Sequence, residues 1–246
     1  MPDTSREERL AAAFVELSDT LVRDFDVIGF LHTLTDHCVE LLEVAAAGVL
    51  LSTPQGRVVD VAASDERTRA LEMASVEWDE GPCRDCFHFG VQVPDVPLES
   101  EEARRRWPRF TPRALLMGFT SVVSAPLRLH AQGIGALNLF RDVAGPLDAS
   151  QLRLGQALAD TATIGILQQR SVSEQMTVTA QLQAALDSRI IIEQAKGNLA
   201  QRHRTGADQA FVLMRSYARD HRARLTDIAR QVLDGTADAS LLKPGR

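Results

Sequence analysis

Three side chains that can do chemistry lie close together in the sequence, where Cys83, Cys86 and His88 form the pattern C-x-x-C-x-H. Cysteines at this spacing occur in zinc sites and in redox-active thiol pairs. A four-cysteine zinc site is excluded because Cys38 is the only other cysteine, and this stretch offers three ligands at most. We predict no metal site. We interpret the three residues as part of a sensor loop, with a thiol-redox sensor as the alternative.

Sequence motifs of catalysis are absent. The chain has no G-x-S-x-G, no phosphate-binding P-loop and no dinucleotide fingerprint. Neighbouring carboxylates occur at Asp79 and Glu80 and again at Glu99, Glu101 and Glu102, but nothing in the sequence places them around a cleft. We therefore expect that the protein is not an enzyme, and the sequence identifies no cofactor.

The other chemically informative residues are basic and lie towards the C-terminal end. Residues 188–246 carry 11 Lys and Arg against 6 Asp and Glu, a net charge of +5, whereas residues 1–187 carry a net charge of −11. This asymmetry indicates that the C-terminal part meets a polyanion. The candidate contact residues are Arg189, Lys196, Arg202, Arg204, Arg215, Arg219 and Arg222.

Helical spacing decides whether these charges can act together. Arg189 and Lys196 fall on one stripe of a predicted helix, and Arg215, Arg219 and Arg222 follow one another at intervals of four and three residues on the next. If the two helices pack antiparallel, the cations converge and can neutralise phosphates. The alternative is a solvated helical face.

Aromatic rings near these cations are few, and they matter because unpaired RNA bases stack on rings. The nearby rings are Phe211, Tyr217, His203 and His221. We expect Phe211 and Tyr217 in the core, which leaves the histidines or the planes of arginine side chains for stacking.

The elements that position these residues follow from the spacing of apolar side chains. Two helices open the chain, and two pairs of short apolar strands, around P-Q-G and A-Q-G turns, predict two hairpins separated by a loop-rich stretch. A helix capped by Asp148 or Ser150 follows, and after Ser188 the chain reads as a small three-helix bundle. This order predicts an α+β fold with an antiparallel sheet and flanking helices.

A continuous helix is predicted to join the two parts, because no Pro or Gly occurs between Leu167 and Lys196. Within it, apolar and polar residues repeat at alternating intervals of four and three, the spacing of a coiled coil. The repeat consists of Val172, Met176, Thr179, Gln183, Leu186 and Ile190. We predict a seam between two protomers; the alternative is a helix that lies on its own domain.

Two segments and the helix that closes them resemble a GAF domain of actinobacterial type. The segments are E-G-P-C-R-D-C-F-H-F-G-V-Q-V-P-D-V-P and R-W-P-R-F-T-P-R-A-L-L-M-G-F-T-S-V-V-S-A-P-L-R-L-H-A-Q-G-I-G-A-L-N-L-F. The resemblance spans residues 26–170. It implies a sensory module with a GAF-like antiparallel sheet and a small-molecule ligand of unknown identity.

Residues 189–236 resemble an ANTAR domain. The residues that carry the resemblance are Arg189, Ile192, Ala195, Lys196, Gly197, Leu199, Ala210, Phe211, Leu213, Arg215, Leu225, Ile228 and Ala229. ANTAR domains bind structured RNA, typically paired hairpins in leader transcripts, and prevent transcription termination. The resemblance adds Gly197 to the RNA-binding candidates, because small residues beside Lys196 let an RNA backbone or a partner helix approach closely.

Together these patterns predict an N-terminal helix in residues 1–25, a GAF-like sensory domain in 26–170, a connecting helix in 171–188, an ANTAR RNA-binding domain in 189–236 and a tail in 237–246. The expected function is signal-responsive transcription antitermination, with structured RNA hairpins as direct partner, RNA polymerase as indirect partner and a homodimer as assembly. A DNA-binding transcriptional regulator is an alternative.

The expected location is the cytoplasm, without membrane association. The N-terminus lacks the apolar core of a secretion signal, and no apolar run approaches the roughly 20 residues that a membrane span needs.

Overall fold

The computed structural model describes residues 5–19, 26–53, 55–130, 132–143 and 145–242. The chain divides after Ser171 into two units, and each is described by itself. Part of the predicted N-terminal helix, residues 1–4 and 20–25, and the end of the predicted tail, residues 243–246, lie outside the described residues.

Among its described residues, the first unit contains five strands and the first seven helices, the last of which continues beyond it. In chain order the elements are α1 Arg6–Asp19, α2 Val27–Leu42, β1 Ala46–Ser52, β2 Val58–Ala63, α3 Glu66–Trp78, α4 Pro82–Phe89, β3 Val93–Pro97, α5 Glu101–Arg106, α6 Phe110–Leu116, β4 Ser121–Leu129, β5 Gln132–Arg141 and α7 Ala149–His203.

The strands form one antiparallel sheet in the order β2-β1-β5-β4-β3, so the two predicted hairpins lie side by side with β1 paired to β5. Alternate residues of each strand point to opposite faces. In β1, Val49 and Leu51 join a core that α2 and the start of α7 cover, whereas Ala46 and Leu50 join a second core beneath α3 to α6. This is the α+β fold with flanking helices that the sequence predicts.

Helix α4 replaces part of the predicted loop. Gly81 precedes it, Pro82 occupies its first turn and Gly90 ends it with a left-handed φ of 65°. Pro is tolerated in a first turn and Gly accepts positive φ without strain. Cys83 and Cys86 lie one turn apart on the buried side of this helix, so the prediction that they belong to a loop is wrong.

Helix α7 runs for 55 residues, which confirms the prediction of one continuous helix. The carboxylate of Asp148 caps its start by accepting hydrogen bonds from the backbone N–H groups of Ser150 and Gln151, at 2.7 and 2.8 Å. Residues 171–187 of this helix are all exposed. The apolar members of the predicted heptad repeat are all exposed: Val172, Met176, Leu186 and Ile190. The helix therefore fits a coiled coil.

The second unit is built from the end of α7 together with α8 Ala207–Asp220, α9 Leu225–Asp234 and α10 Ala239–Leu242. Its core is formed by Ala195, Leu199, Ala210, Met214, Ala218, Ile228, Ala229, Val232, Ala237 and Leu241. The bundle therefore continues past residue 236, where the sequence predicts a tail, because Ala237 and Leu241 bury their apolar side chains against it.

Among the residues that the structure describes, no helix combines the length and the apolar character needed to cross a bilayer.

Candidate nucleic-acid interface and sensor cavity

Lys196 lies on the flank of α7 that faces α8, and two contacts hold its side chain. Its ammonium group is 2.7 Å from the Glu193 carboxylate, one turn earlier. It also lies 5.9 Å from the centre of the Phe211 ring on α8, a cation–π distance. The two contacts leave 18% of the side chain exposed, so the charge is held at a fixed position between the two helices.

Gly197 adjoins this cation and is exposed. A methyl group built in place of its hydrogen would meet no described atom within 4 Å beyond its two chain neighbours and the nearby backbone of its own helix. Packing within the chain therefore does not require a glycine here, although glycine weakens a helix by roughly 0.5–1 kcal/mol relative to alanine. The surface beside Lys196 therefore has no side chain at this position and is accessible to a ligand.

Arg215 and Arg219 extend the same side of the bundle along α8. Arg215 follows Phe211 by four residues and Arg219 follows by eight, so both share the flank that carries the Lys196 contact. Arg215 is exposed, and no ion pair joins it to any described residue. The Arg219 side chain is 80% exposed, and its guanidinium reaches the carboxylate of Asp220 only at 3.7 Å. Exposed pairs of this kind stabilise a fold little.

The remaining predicted cations do not all join this side. Arg189 is exposed and lies seven residues before Lys196, two turns along the same stripe of α7. Arg202 lies about 120° around the helix from Lys196, and its Nε donates to the side-chain oxygen of Asn198 at 2.6 Å. Arg204 is exposed in the turn after α7, with a left-handed φ of 49°.

Arg222 requires a correction, since it does not share a helical face with Arg215 and Arg219. Helix α8 ends at Asp220, and Arg222 takes a left-handed φ of 51° in the turn that follows. Regular helical spacing therefore does not apply to it. The same turn contains an exposed cation that the sequence reasoning missed, Arg224, which precedes the first residue of α9. The run R-D-H-R-A-R, residues 219–224, was the available signal.

The structure also separates the four nearby rings. Phe211 lies beneath Lys196. The Nε2 atom of His203 is 2.8 Å from the backbone carbonyl of Leu241, which ties α7 to α10. The rings of Tyr217 and His221 stack on each other with centres 3.9 Å apart and planes inclined by 20°. The predicted burial of Phe211 and Tyr217 is partial, since both rings are half-buried.

The first unit contains a cavity of about 440 Å³ between the sheet and α4. Its wall includes Leu50 and Ala136 from the sheet and Cys83, Phe87 and His88 from α4. At its rim Arg84 forms an ion pair with Asp79. The structure thus brings Cys83 and His88 to one cavity, whereas Cys86 points into the core beside it.

Both thiols of the C-x-x-C pattern are buried and hydrogen-bonded to backbone. The Cys83 thiol donates to the carbonyl of Ala136 at 3.4 Å, and the Cys86 thiol donates to that of Ser124 at 3.5 Å. Burial raises the pKa of Cys86 to about 11 and raises the pKa of Cys83 well above its ordinary value. Because the thiolate is the reactive form, this environment argues against the thiol-redox alternative.

A buried carboxyl group that the sequence gave no reason to select lies near these thiols. Glu72 on α3 is fully buried over Gly48, and the side-chain amide of Asn138 donates to its Oε1 at 2.8 Å. Burial raises the pKa of Glu72 to about 7, although the Asn138 hydrogen bond opposes the shift. Within the described part of the chain, no group of three or more His, Cys, Asp or Glu residues could hold a metal ion.

Comparison with known proteins finds two matching families. The family model described as GAF domain matches residues 26–166, and the one described as ANTAR domain matches residues 180–233. No curated protein matches the chain.

Two solved structures similar to the first part of the chain are GAF domains of phosphoenolpyruvate-protein phosphotransferases. The domain from Acinetobacter is 11% identical, and the similarity covers 70% of this chain and 98% of that one, with a TM-score of 0.50. The domain from Coxiella burnetii is 12% identical, with coverage of 69% and 99% and a TM-score of 0.50. At this identity the likeness shows the fold alone.

Proposed function

Because this chain belongs to the GAF family and carries an ANTAR domain after its GAF domain, we propose that it is a signal-responsive regulator that binds RNA hairpins in nascent leader transcripts and prevents transcription termination. GAF domains sense signals, and ANTAR domains are RNA-binding antitermination domains. RNA polymerase is then an indirect partner, and the protein acts in the cytoplasm.

The observation that carries the proposal is the arrangement of cations around Lys196. Lys196, Arg215 and Arg219 occupy one side of the α7–α8 pair, next to the open surface at Gly197. Such cations neutralise phosphates and supply affinity that falls with salt. RNA fits better than duplex DNA, because a hairpin loop presents unpaired bases to stacking and hydrogen-bonding side chains.

The sensor part of the proposal rests on the cavity beside α4. A volume of about 440 Å³ falls within the usual range of small-molecule sites, roughly 300–1,000 Å³. A ligand there would contact α4 and the sheet. We propose no catalytic activity for the chain. The one thiol of the cavity wall, Cys83, is kept protonated by burial, which raises its pKa, and the proposed role of the cavity is to bind a ligand.

A homodimer completes the proposal. The stretch of α7 between residues 171 and 187 is exposed on all sides, whereas helices in proteins gain most of their stability from packing one face against a partner. A second copy of α7, packed along the repeat from Val172 to Ile190, would cover it. Since α7 belongs to both units, it also offers a continuous path for a signal.

The test begins with sequencing of RNA that co-purifies with the full-length protein. A labelled hairpin from the most enriched transcript and a duplex DNA of the same sequence are then titrated separately with the protein. We expect a clear preference for the hairpin. A preference for the duplex would favour the alternative of a DNA-binding regulator and would reject the proposal.

A further inference from the structure

The end of α8 carries a flat, exposed ring in fixed orientation. The imidazole of His221 stacks on the phenol ring of Tyr217, four residues earlier, with ring centres 3.9 Å apart. Its Nδ1 lies 2.9 Å from the backbone carbonyl of Tyr217. A carbonyl oxygen only accepts, so Nδ1 carries the proton and the ring cannot turn without losing this hydrogen bond.

One face of this imidazole is available to a ligand. Tyr217 covers the other face and is itself half-buried, while His221 is exposed. Apart from Tyr217, no described ring stacks on His221, and its Nε2 has no hydrogen-bond partner among the described residues. Of the four rings in this unit, His221 alone combines an exposed position with a rigid support, because Phe211 lies under Lys196 and His203 is tied to α10.

Three cations lie close to His221 in the sequence. Arg219, Arg222 and Arg224 are all exposed and lie within three residues of His221. The turn is held by backbone hydrogen bonds from Arg222 to Arg219 at 3.1 Å and from Ala223 to Ala218 at 2.9 Å. Arg222 takes a left-handed φ there, and the arginines precede and follow His221 in the chain.

Two carboxylates belong to the same surroundings. Asp220 makes a long contact with Arg219 at 3.7 Å. The pKa of Asp238 is lowered mainly by hydrogen bonds from Ser240, and a protonated His221 lowers it further. The three arginines still outnumber these two aspartates, so the surroundings of the ring stay positive.

From this geometry we infer that the open face of His221 is a stacking site for an unpaired base of an RNA loop, with Arg219, Arg222 and Arg224 binding the phosphates on either side. Single-stranded nucleic acid is held in this way, by rings under its bases and cations along its backbone. The free Nε2 can accept a hydrogen bond from a neighbouring amino group. The inference rests on the proposed function and names the part of the RNA that this turn binds.

The experiment compares His221→Ala, His221→Phe and the wild-type chain at full length. The probe is the synthetic stem-loop RNA copied from the most enriched co-purified transcript, with 2-aminopurine placed at one loop position at a time. A base that stacks on a ring loses its fluorescence, so one position should be quenched on binding. We expect His221→Ala to weaken binding about tenfold and to abolish this quenching.

His221→Phe keeps a flat ring at the same place and should retain the quenching and most of the affinity. This variant separates loss of stacking from loss of folding, and His32→Ala, which removes an exposed imidazole from α2, should behave like the wild type. If the wild-type chain binds no RNA, the proposed function and this inference both fail. If it binds RNA while His221→Ala retains the affinity and the quenching, this inference alone is overturned.

Discussion

The side-chain amide of Asn138 donates to the carboxyl group of Glu72 at 2.8 Å in the interior of the first unit, and the remaining oxygen of each group is buried without a partner. If Glu72 is ionised, its Oε2 and the Oδ1 of Asn138 can only accept hydrogen bonds, and both stay without a donor. A protonated Glu72 can instead offer its O–H to Asn138 while Asn138 offers its N–H, so the neutral acid satisfies the pair. The raised pKa of Glu72 agrees with this interpretation.

The first prediction concerns stability against pH. In the folded protein Glu72 holds its proton up to a pKa of about 7, whereas the unfolded chain releases it near the ordinary glutamate pKa of 4.5. A raised folded pKa stabilises the fold below the unfolded pKa, and this contribution is lost as pH rises towards the folded pKa. The full loss amounts to about 3 kcal/mol.

Glu72→Gln should remove this dependence, because an amide cannot ionise. Denaturant unfolding of the wild type between pH 5 and 8 should show stability falling with pH, and the variant should show a flatter profile. Glu77→Gln alters an exposed carboxylate of the same helix and serves as the control with a wild-type profile. Equal slopes in the wild type and Glu72→Gln would contradict the prediction.

The sequence alone identified the architecture because its signals are local. Apolar alternation marked the two hairpins, and a run without Pro or Gly marked α7. Helix α4 was missed because eight residues bounded by Gly81 and Gly90 resemble a loop in the absence of the sheet that buries Cys83 and Cys86. Short helices are stabilised by packing more than by propensity, and packing is not visible in the sequence.

The candidate sites likewise combine features that are local in the sequence with features that depend on packing. Lys196 was recognisable from its motif, but its contact with Phe211 depends on how α7 and α8 meet. Arg222 was misplaced because α8 ends at Asp220, two residues before it, so regular helical spacing no longer applies at Arg222. Glu72 lies beneath the sheet only because Gly48 leaves room, since a methyl group there would lie 2.5 Å from its Oε1.

The second prediction concerns the thiols. All three cysteines are free and buried, so a thiol-specific reagent such as Ellman's reagent should label none of them in the native protein and all three after unfolding. Ser173→Cys, at an exposed position of α7, should react at once in the native protein and supplies the reference rate. Labelling of native Cys83 at that rate would restore the thiol-redox alternative.

The third prediction concerns Gly197. Gly197→Ala fills open space in a helix interior, so thermal or denaturant unfolding should show the second unit stabilised by roughly 0.5–1 kcal/mol. We expect RNA affinity to fall at the same time, because the methyl group occupies the surface beside Lys196. Ala185→Gly, at an exposed position of the same helix, should lower stability by a similar amount without changing RNA affinity. Full RNA affinity in Gly197→Ala would remove the glycine from the contact surface.

The fourth prediction concerns the charge at Lys196. Lys196→Ala should weaken RNA binding and reduce the slope of log affinity against log salt by about one unit, the effect of one lost phosphate contact. Glu193→Gln neutralises the carboxylate that holds Lys196 at 2.7 Å, so it should strengthen binding. Arg153→Ala removes an exposed cation from the other end of α7 and should leave affinity and slope unchanged. Opposite changes in affinity at neighbouring residues cannot both come from unfolding, so the two variants control for each other. Unchanged RNA binding in both variants would exclude Lys196 from the interface.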